Sequence, residues 1–229
     1  MCPHGWHVKV LVDYGPKHPD TESALFDGLK ELGLSSSELD GLVLTHGHVD
    51  HVGLAATIAK YGVPILAPPL VDTWLDPGGI WDQYRAAFND RLYKSIGMPS
   101  ELVDKTLSGM AMLHALAEPA VVDVELVYGK ALPCMPQFQV LHVPGHAQHV
   151  LALYDKSASI LIGGDQLLPK ISSNALIEPA MTAPSGDKAA RTKSLLQYRR
   201  NLRELKNLDL QVVYPGHGEE FTDVAGGDR

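Results

Sequence analysis

Four apolar runs in this chain end at a histidine or an aspartate, three of them through glycine, and that repeated ending constrains the fold more than any other feature. Gly41-Leu42-Val43-Leu44 leads into Thr45-His46-Gly47-His48-Val49-Asp50-His51. Val140 to Val143 leads into Pro144-Gly145-His146, Ile160 to Ile162 into Gly163-Gly164-Asp165, and Val212 to Tyr214 into Pro215-Gly216-His217-Gly218. Short apolar runs bounded by glycine or proline read as buried strands. Four such strands ending in imidazole or carboxylate would gather those groups at one rim of a sheet, where loops can build a site on a rigid scaffold.

Helices lie between some of these strands. Trp6 to Asp13 has strand character and breaks at Tyr14-Gly15-Pro16. Thr21 to Leu32 reads as a helix with Leu25, Phe26, Leu29 and Leu32 on one face, closed by Gly33. His51 to Tyr61 reads as a second helix, and Val63 to Ala67 as a strand. From residue 68 to about 120 the character changes. Two helical stretches follow a Pro- and Gly-broken segment, and the region carries Trp74, Trp81, Tyr84, Phe88, Tyr93, Met98, Met110 and Met112. It reads as a helical insert within one domain of residues 1–229, either packed on the core or closing over a pocket. Strands return at Val124 to Tyr128, Phe138 to Val143, Val150 to Tyr154 and Ser159 to Ile162. A helix from about Asp187 to Lys206 precedes a last strand, Leu210 to Tyr214. This interleaving predicts an α/β layered fold with mixed sheets.

Alternate side chains of an extended segment point the same way, so His46 and His48 can hold one ion between them. Asp50 and His51 fall at the turn into a helix, where a carboxylate is favoured and a second ion lies within reach. Imidazole with carboxylate suits zinc, and also iron or manganese. Two ions about 3.5–4 Å apart can share a hydroxide as nucleophile. A single histidine at a strand end is ordinarily a hydrogen-bonded structural residue, and His114, His142 and His149 are read so. Seven histidines and aspartates at four strand ends call for a metal site instead.

The balance of 19 Lys and Arg against 27 Asp and Glu, a net charge of −8, disfavours nucleic acid as a partner. Lys188, Arg191, Lys193, Arg199, Arg200, Arg203 and Lys206 run against it, as a solvated helix face or as a dock for an anionic substrate or RNA. No apolar run approaches the roughly 20 residues of a membrane span, and no apolar leader follows Met1. A cytoplasmic protein is expected, with Cys2 and Cys134 as free thiols.

These residues resemble the metallo-β-lactamase fold superfamily. Its His-x-His-x-Asp-His signature appears as His46, His48, Asp50 and His51, its downstream histidine as His146, its bridging aspartate as Asp165 and its last histidine as His217. The resemblance runs from about Val10 to Glu220, apart from the insert. It implies a four-layer αββα sandwich with metals in a cleft at the edge of two sheets. His46, His48 and His146 would hold one ion, Asp50, His51 and His217 a second, with Asp165 bridging and Asp50 also catalytic. Family members usually carry a strand or hairpin ahead of the segment matching Val8 to Asp13, so an exposed sheet edge and a homodimer are expected.

Within the superfamily, Asp165 separates the chain from true β-lactamases, and the ligand set resembles that of glyoxalase II-like thioesterases and of lactonases. The insert favours a small-molecule substrate with an apolar part. The expected activity is therefore hydrolysis of an ester, thioester or lactone by two divalent ions, zinc first, with no membrane partner. Lys170, Ser172, Ser173 and Asn174 are candidates for its polar end. The alternatives are a metal-dependent RNase or phosphodiesterase, and a mononuclear-iron persulfide dioxygenase.

Overall fold

The computed structural model describes residues 8–133, 135–180 and 191–222. Both cysteines, Lys188 and the expected start of the last helix at Asp187 lie outside the described residues.

Two sheets form the centre. Strands β1 (Val10–Val12), β2 (Gly41–Val43), β3 (Ile65–Ala67) and β4 (Val124–Glu125) make a parallel sheet in that order. Strands β5 (Ala131–Leu132), β6 (Met135–His142), β7 (Leu151–Asp155), β8 (Ile160–Gly164) and β9 (Val212–Pro215) make the other. There the pairs are antiparallel except β8 with β9, so β6, β8 and β9 all run one way and finish at one edge.

The two-residue period of a strand explains the layering. Leu42, Leu44, Ile65 and Ala67 face helices α1 (Pro19–Glu31) and α3 (Ala55–Ala59), meeting Leu29, Ala55 and Ile58. Val43 and Leu66 face the other way, against Val140, Leu151 and Leu153 of the second sheet. On its far side that sheet turns Ala152, Tyr154, Leu161 and Val213 towards Leu205 of α6 (Ser194–Leu205). The result is four layers, helix, sheet, sheet, helix, as the sequence implied.

The expected helix from His51 to Tyr61 is instead two short ones, α2 (Val49–Val52) and α3. They separate at Gly53, whose face is so close to Pro16 that an added Cβ would lie 2.4 Å from the Pro16 Cα. Between β3 and β4 lie a 3-10 turn (Val71–Trp74) and helices α4 (Ile80–Ser95) and α5 (Ser100–His114). Among the described residues, β1 and β4 are the outer strands of the parallel sheet, and no helix is long and apolar enough to cross a membrane. On α6, Tyr198, Asn201 and Leu205 turn inward while Arg199, Arg200 and Arg203 are exposed, the pattern of a solvated basic face.

Candidate metal centre

The rim where the sequence places its histidines is shared by both sheets, not by one. β2 delivers His46, His48, Asp50 and His51 from the parallel sheet, while β6, β8 and β9 deliver His146, Asp165 and His217 from the other. All seven side chains meet. His46 Nε2 lies 3.0 Å from His48 Nδ1, which lies 2.9 Å from His146 Nε2. His217 Nε2 is 3.2 Å from Asp50 Oδ2, and His51 Nε2 is 3.8 Å from the same oxygen. Asp165 stands between the two groups: its Oδ1 is 3.4 Å from His51 Nε2, and its Oδ2 is 3.4 Å from His146 Nε2 and 3.5 Å from His217 Nε2.

Outer partners fix which imidazole nitrogens carry protons. The main-chain oxygen of Asn174 can only accept, so His146 Nδ1, 2.8 Å away, is the protonated nitrogen. Thr45 Oγ1 donates to Asp13 Oδ2 (2.7 Å) and so accepts from His46 Nδ1 (2.9 Å). Asp13 Oδ2 also accepts from His51 Nδ1 at 2.8 Å. Each of these three rings therefore turns Nε2 inward, as a lone pair in His46 and His146, an arrangement suited to metal ligation. His48 Nδ1 faces two of those lone pairs and can donate to one at most. A positive ion in their midst removes the repulsion. His51 Nε2 and Asp165 Oδ1 are buried without a hydrogen-bond partner, an expensive state for polar atoms that a cation would relieve.

Electrostatics agree for His46, His48 and His146, and set His51 apart. Burial first, then the neighbouring imidazoles, hold His46 and His48 well below the usual histidine range, so both rings are neutral. Burial likewise lowers His146. Burial would lower His51 too, but Asp13 and Asp165 outweigh it and raise it to about 10. Three triads have ligand-type atoms within 4.8 Å of one another: His46, His48 and His146; Asp50, His51 and His217; and Asp13, His46 and His51. The last has its Asp13 oxygens occupied by Thr45 and His51, which makes Asp13 an orienting carboxylate.

Close packing supports the ligands. His149, read as structural, accepts the Gly47 N–H through Nε2 at 2.9 Å. Burial lowers its pKa to about 3 and keeps that nitrogen a lone-pair acceptor. Trp74 packs its ring edge-on to His48, 5.4 Å between centroids, and carries the Arg85 guanidinium 3.9 Å above its face. A Cβ on Gly47 would lie 2.3 Å from Trp74 Cγ, so only glycine lets the indole approach. A Cβ on Gly216 would lie 2.3 Å from Asp165 Oδ1.

Of the substrate candidates, Lys170 is exposed, Asn174 meets His146 through its main chain, and Ser173 Oγ lies 2.7 Å from His146 Nδ1. The contacts of Ser173 and Asn174 are to a ligand. Reading the sequence missed Asp13, Thr45, Trp74 and Arg85. A carboxylate at the end of the first strand was the available signal for Asp13.

The sequence profile of the Metallo-beta-lactamase superfamily matches residues 8–217. The probable metallo-hydrolase YqjP of Bacillus subtilis is 29% identical over 216 residues, covering 94% of this chain and 65% of that protein. Among solved structures, the metallo-beta-lactamase family protein TTHA1429 of Thermus thermophilus superimposes with a TM-score of 0.73 at 28% identity, over 94% of this chain and 66% of that one. TTHA1623, solved in a di-iron-bound form, shares the fold at 22% identity and a TM-score of 0.55, over 91% of this chain and 82% of that one. The chain thus spans slightly less than two thirds of YqjP and of TTHA1429.

Proposed function

This chain belongs to the metallo-beta-lactamase superfamily, and on that footing we propose that it is a hydrolase holding two divalent ions, zinc first, that cleaves an ester, thioester or lactone with an apolar part. The observation that carries the reading is the placement of Asp165 between two ligand triads, with its carboxylate oxygens 3.4–3.5 Å from His51, His146 and His217.

In this assignment His46, His48 and His146 would hold one ion and Asp50, His51 and His217 the other, with Asp165 placed to serve either. Bound there, such ions supply electrophilic activation of a carbonyl and an acidified water at neutral pH. The protein's own groups do the rest. Asp13, Thr45 and the Asn174 carbonyl hold three rings with Nε2 inward. The buried Asp165 is kept ionised by His51 and its neighbours against the pull of burial. Asp50 and His217 lie on the open side, both nearly half exposed, and Asp50 is the carboxylate placed to pass a proton to solvent. Trp74 and the buried Arg85 shield the opposite side from water.

Metal analysis of the purified protein, combined with a panel of ester, thioester, lactone and bis-aryl phosphate substrates, tests this reading. Two equivalents of metal with turnover of a carboxylic ester, thioester or lactone are expected. The metals assayed include iron because TTHA1623 has been solved in a di-iron-bound form. One equivalent of iron with oxygen consumed on a persulfide would overturn the hydrolase, and salt-sensitive RNA binding would favour a nuclease.

A further inference from the structure

Two cavities lie along the helical insert. The inner one, about 300 Å³, has His48 and Trp74 at one end and is walled by Leu92, Tyr93, Ile96 and Leu176. The outer one, about 430 Å³, runs between α4 and α5 and is lined by Pro77, Gly78, Ala86, Leu107, Ala111 and Ala115. Both are predominantly apolar, and both touch Arg85, Asn89, Met110 and His114.

That shared wall has a fixed half and a loose half. Arg85 is anchored to the Thr73 carbonyl at 2.8 Å and to Asp82, and His114 Nδ1 lies 3.4 Å from the same Asp82. Met110 is held by two weak sulfur contacts, to Asn89 Nδ2 at 3.9 Å and Tyr93 Oη at 4.0 Å. A thioether on three rotatable bonds changes rotamer readily. Ala86 of α4 and Ala111 of α5 face the outer cavity from the two helices, and its surface is predominantly apolar, which suits an alkyl chain.

We propose that the two cavities are one channel, divided by a movable Met110, that takes the unbranched acyl chain of the substrate with its carbonyl end at His48. The proposal rests on the hydrolase reading for the chemistry at the mouth, and names its substrate class as linear acyl esters or thioesters. Met110 is then the residue that sets the accepted chain length.

Linear 1-alkanols from C4 to C14, titrated calorimetrically into the metal-loaded protein, probe the channel without turnover. The kcat/KM on p-nitrophenyl esters of the same lengths reports on the reaction. Affinity should rise about threefold to fourfold per methylene, then level off where the chain meets the end of the space. Met110→Ala should move that plateau to longer chains. Ala111→Phe, on the exposed side of α5, should fill the outer cavity without disturbing the core and move the plateau to shorter ones. Plateaus that stay at wild-type length in both variants overturn the channel, even if esters are cleaved. Plateaus that move while no ester, thioester or lactone is cleaved support the channel and sink the hydrolase reading.

Discussion

The imidazole of His149 accepts the main-chain N–H of Gly47 at 2.9 Å, joining positions 102 residues apart beside the candidate ligands His46 and His48. Gly47 lies between His46 and His48, so this bond fixes the backbone from which both rings project. His149→Ala leaves a buried N–H unpaired and should destabilise the metal-free protein by about 1–3 kcal/mol, measured by chemical denaturation. His149→Gln retains an acceptor and should recover part of the loss. Equal stability of wild type and His149→Ala would mean that the bond contributes nothing.

Asp13 accepts from Thr45 N, Thr45 Oγ1 and His51 Nδ1 and is the carboxylate behind two ligand rings. Removing such an outer partner typically weakens metal binding about 10–100-fold. Asp13→Ala should show a loss of that size in competition with a chelator, with the fold intact by circular dichroism. Unchanged affinity would assign Asp13 to strand packing alone.

Asp165→Ala and His48→Ala should reduce turnover to background while the purified proteins remain folded. Bound metal, measured by mass spectrometry, should fall in both. Full activity in either variant would refute the two-ion assignment.

Gly216→Ala places a methyl group 2.3 Å from Asp165 Oδ1 and 3.0 Å from His51 Cε1. The carboxylate must move, and metal affinity should drop by roughly tenfold or more, the scale on which displaced ligand supports act. Gly28→Ala in α1, where the new methyl meets nothing within 4 Å, is the control. It should bind metal normally and gain about 0.4–1 kcal/mol.

Burial raises Glu178 from 4.5 to about 7, against the opposing pull of the Gln148 N–H and Arg85. The folded state therefore keeps this proton when the unfolded chain has released it. The contribution is fully present below about pH 4.5 and is lost as pH rises to about 7, a loss of at most about 3 kcal/mol. Glu178→Gln carries no titrating group, so its stability relative to wild type should increase across that window and level off above it. Denaturation of both proteins from about pH 4.5 to 8 measures the difference, and a constant difference would show that the carboxyl is not protonated in the fold.

The candidate ligands, which the structure brings together, were legible because each follows within a few residues of an apolar run. Their outer partners were not. Asp13 reaches Thr45 and His51 because β1 pairs with β2 in a register that sets Val12 beside Val43, which no local pattern encodes. Asn174 acts through a carbonyl that every residue possesses. Trp74 was visible as an insert residue, but its contact with His48, and that of Arg85 with its ring, depend on how the insert folds back. The layering was legible from strand period, whereas the break between α2 and α3 arises from the Pro16 segment lying against Gly53, a distant neighbour.

That the ligands are drawn from both sheets has a mechanical meaning. An ion held at once by His51 near the first strands and His217 near the last would close most of the chain into a single loop, as a crosslink does. Unlike a covalent bridge, this one can be withdrawn with a chelator. Its strength follows free metal concentration, so metal supply would tune how readily the two halves of the sandwich part and expose their shared interior to proteases.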